Sequence, residues 1–317
     1  MTRRIGVIGT MVWDTIYGRP PHDQPVEEWG GIAYALAGLE AALPSDWEIV
    51  PLIKVGSDSI AKANQFLTKL THRSAARKFI EVDATNPHVT IRYESETRKA
   101  IQISGGVPPW TWPELGPMVE DLDALYINFI SGFELDLQTA QLLSHGFPGP
   151  IYADLHSLFL GVGKDGIRTP NAVSQPHLWV SCFDVVQLNQ DEMTLLGDDP
   201  MAVAAGVLSA GVRLLIVTLG ADGAVYFTSD AFDIFKTGPT NKTGTIQTAR
   251  IGADLTAQPL DTTGCGDVFG GTLMAQLVQG IELQKALRTS NIYAARNVSV
   301  HGASNLHYHL RGEIAPL

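Results

Sequence analysis

The chain has 317 residues, of which 45% are hydrophobic and 17% charged, and its net charge is −11. This composition excludes global disorder, and the acidic balance argues against nucleic acid or an anionic membrane as partner. The two cysteines, Cys182 and Cys265, do not suggest a disulfide framework and favour a reducing cytoplasm. No apolar run approaches the roughly 18 residues that a membrane span needs.

Short, continuously apolar runs predict strands that are buried on both faces, as in a parallel sheet. In chain order these runs are residues 5–8, 49–55, 124–129, 151–155, 185–188 and 214–219. Helical patterns between and after them cover residues 32–43, 60–70, 137–144, 201–210 and 268–279. Alternation of strands and helices predicts a doubly wound, mostly parallel α/β sandwich, with residues 1–317 forming a single domain.

One stretch departs from this alternation. Residues 89–93 and 99–103 are rich in β-forming side chains and flank the polar turn 94–98. Together with residues 13–19 they predict a small separate sheet, which we assign to the segments of about 12–28 and 88–104. A sheet at the carboxyl ends of the parallel strands would act as a lid. An ordinary surface hairpin is the alternative.

The run 261–271, with the sequence DTTGCGDVFGG, combines a glycine-rich turn, an acidic residue and the start of an apolar helix. The first N–H groups of a helix and its dipole form an anion site, which a glycine turn leaves open to phosphate. A carboxylate beside such a site is suited to taking a proton from an attacking hydroxyl. The alternative is that Asp267 only caps the helix.

This run resembles the C-terminal signature of the ribokinase/PfkB carbohydrate kinases, which is usually Asp-Thr-Thr-Gly-Ala-Gly-Asp. The resemblance implies that Asp267 is the catalytic base and that Gly264, Cys265 and Gly266 form the anion hole. Cys265 replaces the commoner alanine, and we expect its thiol to be packed. We expect both glycines to adopt backbone angles that a larger residue does not tolerate.

The resemblance extends to the nucleotide side and implies ATP and Mg²⁺ as cofactors. Asn189 and Glu192 match an Asn-x-x-Glu element that holds Mg²⁺ largely through water, and residues 218–223 match a Thr-x-Gly-x-x-Gly turn. The residues expected to contact the cofactors are Asn189, Glu192, Thr218, Gly220, Gly223 and Asn291. By the same resemblance, the Asp261 carboxylate, the Thr263 carbonyl and the loop at residues 302–303 would hold a potassium ion.

On the substrate side, Asp14 stands in a Gly-x₄-Asp element whose aspartate contacts substrate hydroxyls in the family, and Gly30-Gly31 matches its Gly-Gly element. Two departures concern the acceptor. Ala35 replaces a common asparagine, and Leu158 stands where sugar-acid kinases carry an arginine. The aromatic residues near these elements, which suit a sugar, polyol or nucleobase ring if they are not packing residues, are Trp13, Tyr17, Trp29 and Tyr34.

The sequence therefore predicts an ATP-dependent kinase that phosphorylates a hydroxyl of a small sugar, polyol or related substrate. A polyol or nucleoside-like ring is favoured over a sugar phosphate, because no further phosphate-binding cluster is visible. The alternatives are a nucleoside kinase of the same fold and a catalytically silent sensor of sugar or nucleotide. The intact Asp267 and its glycine turn disfavour the sensor. A homodimer formed through the lid is left open.

Overall fold

The computed structural model describes residues 2–17, 24–75, 79–93, 99–229, 231–236, 245–253 and 261–315. Sixteen strands lie in these ranges. They are β1 (Arg3–Ile8), β2 (Met11–Tyr17), β3 (Val26–Gly31), β4 (Trp47–Leu52), β5 (Lys54–Gly56), β6 (Ile80–Val82), β7 (His88–Tyr93), β8 (Lys99–Ser104), β9 (Ala124–Asn128), β10 (Ile151–Asp154), β11 (Leu160–Val162), β12 (Arg168–Pro170), β13 (Val185–Asn189), β14 (Leu214–Thr218), β15 (Ala224–Thr228) and β16 (Gln247–Ile251).

Ten α-helices lie in the same ranges. They are α1 (Ile32–Ala42), α2 (Ile60–Leu67), α3 (Trp112–Val119), α4 (Leu137–Gly146), α5 (Pro176–Val180), α6 (Gln190–Leu196), α7 (Pro200–Ser209), α8 (Cys265–Val278), α9 (Leu283–Asn297) and α10 (Leu306–Arg311). None of these helices is both long enough and apolar enough to cross a membrane.

The main sheet has eight strands in the order β16-β15-β14-β13-β10-β9-β1-β4. The six strands from β14 to β4 run parallel, and β15 and β16 are added antiparallel at one edge. The predicted doubly wound, mostly parallel sheet is confirmed. All six predicted strands are present, and the run 49–55 is divided into β4 and β5.

Continuously apolar strands build two cores because alternate side chains point to opposite faces of the sheet. On β1, Ile5 and Val7 enter one buried cluster and Ile8 enters the other. On β14, Leu214 and Ile216 again belong to the first cluster, whereas the residues between and after them belong to the second. Helices α1, α8, α9 and α10 cover the first face, and α3, α4, α5 and α7 cover the second.

Helices α1 and α8 approach each other closely at two glycines. A Cβ atom on Gly38 would lie 2.7 Å from the Val268 carbonyl oxygen, and one on Gly271 would lie 2.2 Å from the Ala35 carbonyl oxygen. Ala35 is fully buried beside this crossing. The contact fixes the start of α8 relative to the turn that ends β3, and so relates the two glycine motifs in space.

A second sheet has the strand order β3-β2-β7-β8. It comes from the two segments that the sequence assigned to a separate sheet, with β3 as a strand that was not predicted; residues 18–23 and the turn 94–98 lie outside the described residues. The hairpin of β11 and β12 is joined to β8 by the pairing of Gln102 with Ile167. The sequence did not predict this hairpin.

Candidate active site

A cavity of about 490 Å³ opens at the carboxyl ends of the parallel strands. Its walls are the ends of β10, β13 and β14, the start of α8, and strands β2, β7 and β8 of the second sheet. In parallel α/β sheets this edge is where ligands bind. Of the residues singled out from the sequence, those that line the cavity are Asp14, Gly31, Asn189, Glu192, Thr218, Gly220, Thr263, Gly264, Cys265, Gly266 and Asp267.

Asp267 lies in the first turn of α8 at the cavity wall. Its Oδ1 atom accepts a hydrogen bond of 2.7 Å from the Nδ2 atom of Asn128, at the end of β9. The carboxylate therefore takes its orientation from the central sheet and not from the cap of its own helix, whose cap residue is Gly264. The first amide groups of α8 have no intrahelical acceptors and lie at the same wall, which makes an anion site beside a carboxylate.

The structure requires glycine at position 264 but not at position 266. Gly264 has φ +78°, and a Cβ atom there would lie 2.2 Å from the ring of Tyr34. Gly266 lies inside α8 and does not have a positive φ, and its Cβ would meet only the Gln187 amide at 3.9 Å. The expectation that both positions need unusual backbone angles is therefore wrong for Gly266.

A buried polar layer lies beneath Asp267, at the ends of β9, β10 and β13. Gln187 is its centre, because its Nε2 atom donates to Oδ2 of Asp154 at 2.7 Å and to the carbonyl of Gly266 at 3.0 Å. The hydroxyl of Tyr152 donates to the Gln187 Oε1 atom at 2.6 Å. The sequence analysis did not identify Asn128 or Gln187 as site residues. Each is a polar side chain within a strand that is otherwise mostly apolar, and this was the available signal.

Asp154 is a buried carboxyl group close to two other acids. Burial raises the pKa of Asp154 to about 8, and the charges of Asp267 and Glu192 act in the same direction. The neutral form is therefore favoured at ordinary pH, since a second full negative charge beneath Asp267 is costly.

Asn189 and Glu192 form a reciprocal cap at the start of α6. The Asn189 amide nitrogen donates to Glu192 Oε2 at 2.8 Å, and the Glu192 amide nitrogen donates to Asn189 Oδ1 at 2.9 Å. Glu192 Oε1 is also hydrogen-bonded to Nδ1 of His156, a half-exposed residue at the cavity. Loss of solvent lowers the pKa of His156, but the bond to Glu192 and the nearby carboxylates more than compensate, so its pKa is raised.

The side chains at the start of α6 are chemically suited to the Mg²⁺ ion that the sequence predicts there. Carboxylate and amide oxygens of Asn189, Asp191 and Glu192 line the wall, and oxygen ligands are those that Mg²⁺ prefers. Both side chains predicted to hold the ion are already engaged in the helix cap, which agrees with holding it through water. Within the described ranges, no three His, Cys, Asp or Glu side chains form a compact group that could hold a metal ion directly.

Thr218 and Gly220 line the cavity at the end of β14, but two other residues of the expected nucleotide side do not. Gly223 has φ +90°, and a Cβ atom there would lie 2.0 Å from the Ile251 carbonyl oxygen. Asn291 is buried, and its amide donates to the carbonyls of Ile251 and Gly252 at 2.9 and 3.1 Å. Both residues thus shape the loop after β16, whose continuation at residues 254–260 lies outside the described residues.

The oxygens expected to hold potassium have protein partners. Asp261 Oδ1 accepts from the Tyr93 hydroxyl at 2.8 Å and from the Thr263 amide at 2.9 Å, and Oδ2 is 3.3 Å from His301 Nδ1. The Thr263 carbonyl accepts from the Asn297 amide at 2.8 Å. Burial alone would raise the pKa of Asp261, but these hydrogen bonds hold it below its usual value. A carbonyl has two lone pairs and a carboxylate about four acceptor positions, so these bonds leave acceptor capacity on both groups, and the potassium site stays a prediction.

Asp14 lines the cavity where the sequence predicts the acceptor, and Gly30 packs against its carboxylate. Asp14 is 4% exposed on β2, and a Cβ atom on Gly30 would lie 1.8 Å from its Oδ2 atom. Glycine is therefore required at position 30 for the carboxylate to lie where it does. Gly31, with φ +58°, would place a Cβ 2.6 Å from the Thr10 carbonyl oxygen and caps α1.

The four aromatic residues expected near the acceptor do not line the described cavity. Trp13 and Trp29 pack edge to face with ring centroids 5.1 Å apart, Tyr17 lies under the guanidinium of Arg92, and Tyr34 is buried beneath the glycine turn. The wall beside Asp14 is instead aliphatic, and its members are Val12, Val89, Ile91, Ile101, Ile130 and Leu160. Of the two interpretations that the sequence left open for these residues, a ring-binding wall and packing, the structure supports packing.

The sequence profile described as "pfkB family carbohydrate kinase" matches residues 54–308, which is most of the chain. The chain belongs to this family. This kinase is 24% identical to the ribokinase of Staphylococcus aureus over 322 aligned positions, which cover 96% of each protein. It is 30% identical over 132 positions to the probable fructokinase-7 of Arabidopsis thaliana, and the match spans 38% of this chain and about a third, 34%, of that relative.

Solved structures of ribokinase-type proteins share the fold. The ribokinase of Thermotoga maritima superposes on the kinase with a TM-score of 0.69 at 16% identity, covering 98% of this chain and 99% of the other. A pyrophosphate-dependent kinase in the ribokinase family, complexed with a pyrophosphate analog and myo-inositol, gives 0.72 at 15% identity, covering 95% and 98%. The family assignment made from the run 261–267 is confirmed.

Proposed function

We propose that this kinase transfers the γ-phosphoryl group of ATP to a hydroxyl of a small sugar, polyol or related acceptor, with Asp267 as the base. The observation that supports this is the position of Asp267. Its carboxylate is held by Asn128 at the wall of a cavity whose lining also includes the glycine turn, Gly264 to Gly266, and Asp14. A base next to an anion site, in one cavity with a carboxylate that can bind hydroxyls, is suited to phosphoryl transfer to an alcohol.

In the proposed reaction, Asp14 accepts hydrogen bonds from acceptor hydroxyls and orients one of them toward Asp267. Asp267 takes the proton of that hydroxyl as its oxygen bonds to the γ-phosphorus and the bond to the leaving ADP oxygen breaks. The amides of Gly264, Cys265 and Gly266 stabilise the charge on the transferring group. Mg²⁺, held through water at Asn189 and Glu192, would neutralise charge on the phosphates. No step is assigned to potassium.

We propose that the sheet of β2, β3, β7 and β8 is the lid of this site. Its aliphatic residues Val89, Ile91 and Ile101 line the cavity opposite the main sheet, and Tyr93 reaches Asp261 beside the glycine turn. A lid that contacts both the acceptor wall and the phosphate turn would exclude water when both substrates are bound.

A reducing compartment and a homodimer through the lid remain proposals. Cys182 and Cys265 are both free thiols, which is consistent with the cytoplasm. The mass of the particle in solution, measured by light scattering, tests the dimer.

The test of the proposed function is a donor and acceptor matrix. ATP and pyrophosphate serve as donors, and ribose, fructose, myo-inositol and the common nucleosides serve as acceptors, with the phosphorylated product identified by mass spectrometry. We expect ATP with a sugar or polyol to give the highest kcat/KM, because the acceptor wall has aliphatic residues and a carboxylate but no aromatic face for a nucleobase among its described residues. ADP formation that no acceptor stimulates would favour the silent sensor.

A further inference from the structure

One arginine lines the cavity on the side of the lid. Arg168 is the first residue of β12, in the hairpin that extends the edge of β8. It is the only lysine or arginine among the lining residues that the structure describes. The lining carboxyl groups are Asp14, Asp154, Asp191, Glu192 and Asp267.

The Arg168 guanidinium is anchored by main-chain carbonyls. Nη1 donates to the Ser131 carbonyl at 2.9 Å, and Nη2 lies 3.3 Å from the Ser157 carbonyl. These carbonyls belong to the loops that follow β9 and β10, the strands that carry Asn128 and Asp154. Because a guanidinium has five N–H groups, two such bonds orient it and leave donors unused.

Arg168 has no counter-ion in contact. No carboxylate lies within 4.0 Å of it in the described ranges, and its buried Nε atom has no acceptor. The charge of Glu134 acts on it from further away, but the Glu134 carboxylate already accepts from the Thr10 hydroxyl and from the amides of Ser131 and Gly132. Burial lowers the pKa of Arg168. A half-buried cation paired only with carbonyls is costly unless an anion joins it.

The Ser131 anchor connects Arg168 to the loop that contacts Gly31, where the sequence predicts the acceptor. Ile130, next to Ser131, lies against Gly31, since a Cβ atom on Gly31 would be 2.9 Å from the Ile130 Cγ2 atom. The hairpin is also fixed to the lid, because the Ile103 amide donates to the Gly166 carbonyl at 2.9 Å. Arg168 therefore joins the floor and the lid on the same side of the cavity as Gly31.

We propose that the acceptor carries an anionic group, a carboxylate or a phosphate, and that Arg168 binds this group. The proposal rests on the function proposed above and specifies its substrate class. It replaces the expectation of a neutral ring, which was based on the lack of a visible anion-binding cluster in the sequence. That expectation omitted Arg168 because the residue enters the cavity only through an unpredicted hairpin.

The first test uses matched pairs of acceptors that differ only in the anionic group: ribose with ribose 5-phosphate, and glucose with glucuronate. We expect the anionic member of one pair to have the higher kcat/KM, and the two pairs distinguish phosphate from carboxylate. Thermal shift of the inactive Asp267→Asn variant with each compound measures binding without turnover. If no compound is phosphorylated, the proposed function fails, while an Arg168-dependent shift by the anionic member alone would still support the anion site.

The second test changes the cation. Arg168→Met should raise KM for the anionic acceptor by about 10- to 100-fold, the scale of a charge-assisted hydrogen bond, and leave KM for ATP within about 3-fold. Arg168→Lys keeps the positive charge but loses the planar guanidinium with its paired N–H groups. Its KM for the anionic acceptor should therefore lie between those of wild type and Arg168→Met. Lys164→Met, at the exposed tip of the same hairpin, is the matched control and should behave as wild type.

Two results would overturn the proposal. One is that the neutral member of both pairs is the better substrate and the tighter ligand. The other is that Arg168→Met lowers Tm and reduces kcat/KM by the same factor for neutral and anionic acceptors, since Arg168 would then only join the hairpin to the floor. If Arg168→Met does not fold, the proposal is tested by the matched acceptor pairs with the wild-type enzyme and by the kinetics of Arg168→Lys.

Discussion

The two ends of the cavity are constructed in different ways. The proposed phosphate end is one continuous run, residues 261–267, in which a turn becomes the first turn of α8 and the groups proposed to react are sequence neighbours. The proposed acceptor end combines Asp14 on β2, Gly31 at the end of β3, aliphatic residues of β7 and β8, and Arg168 on β12. The first end depends on local backbone geometry, and the second depends on how four strands and a hairpin pack.

This difference predicts different consequences of mutation. Changes at the phosphate end should act on the chemical step for every acceptor, because all acceptors share the phosphoryl group. Changes at the acceptor end should act on the choice of acceptor and leave ATP binding nearly unchanged. The experiments below test this separation.

The largest effect is expected for Asp267→Asn. Loss of the base should reduce kcat by about 10² to 10⁴ with KM for ATP nearly unchanged. The amide oxygen of the new side chain can still accept from Asn128, so the fold should be kept. Steady-state kinetics test this, with Asp198→Asn, an exposed acid outside the cavity, as the charge-matched control. A kcat within a few-fold of wild type would show that Asp267 is not the base and serves only at the start of the helix.

A comparison of Gly264→Ala with Gly266→Ala sharpens the description of the turn. Alanine at 264 must adopt φ +78° and meet the Tyr34 ring, so we expect a loss of stability of about 2–4 kcal/mol and a large loss of kcat. Alanine at 266 has room inside a helix and should keep or slightly raise Tm. Thermal unfolding and kcat of both variants are the measurement. Equal destabilisation by the two changes would contradict the conclusion that glycine is required at position 264 but not at position 266.

Asp14→Asn tests the acceptor end. A carboxylate that accepts hydrogen bonds from hydroxyls is expected to contribute about 10- to 100-fold to kcat/KM for the acceptor, with KM for ATP within about 3-fold. Initial rates measured with one substrate varied at a time separate kcat/KM for the acceptor from KM for ATP. Glu27→Gln, exposed on neighbouring β3, is the control. Equal loss of affinity for ATP and acceptor would contradict the proposed division of the cavity.

The buried Asp154 predicts how the stability of the protein depends on pH. Because burial raises the pKa of Asp154 to about 8, well above the ordinary value for an aspartic acid, the unfolded chain releases this proton at lower pH than the folded chain. The stability that the neutral acid contributes is full below the unfolded pKa and is lost as pH rises through the folded pKa. The difference in Tm between Asp154→Asn and wild type should therefore shift in favour of the variant between pH 4 and 8 and level off above 8. A difference that does not vary with pH would refute the raised pKa.

Much of the phosphate end was predictable from the sequence. Asp267 and the glycine turn were identified because the turn, the acid and the helix start adjoin in one run. Asn189 and Glu192 were identified by resemblance to an Asn-x-x-Glu element, and the structure shows that the two residues form a capping box. The support of Asp267 was not predictable. Asn128 is 139 positions away, and only the parallel order β10-β9-β1 brings the end of its strand beneath α8.

The sequence by itself determined the fold class, since apolar runs without alternation must be buried on both faces, and it determined the motif whose residues adjoin one another along the chain. Only the tertiary structure decided what those residues face. It placed the four expected aromatic residues outside the cavity lining, gave Asp261 and Thr263 protein hydrogen-bond partners, and brought Arg168 to the cavity wall. The physical reason is that a side chain's environment depends on long-range pairing of strands, which leaves no local pattern in the sequence.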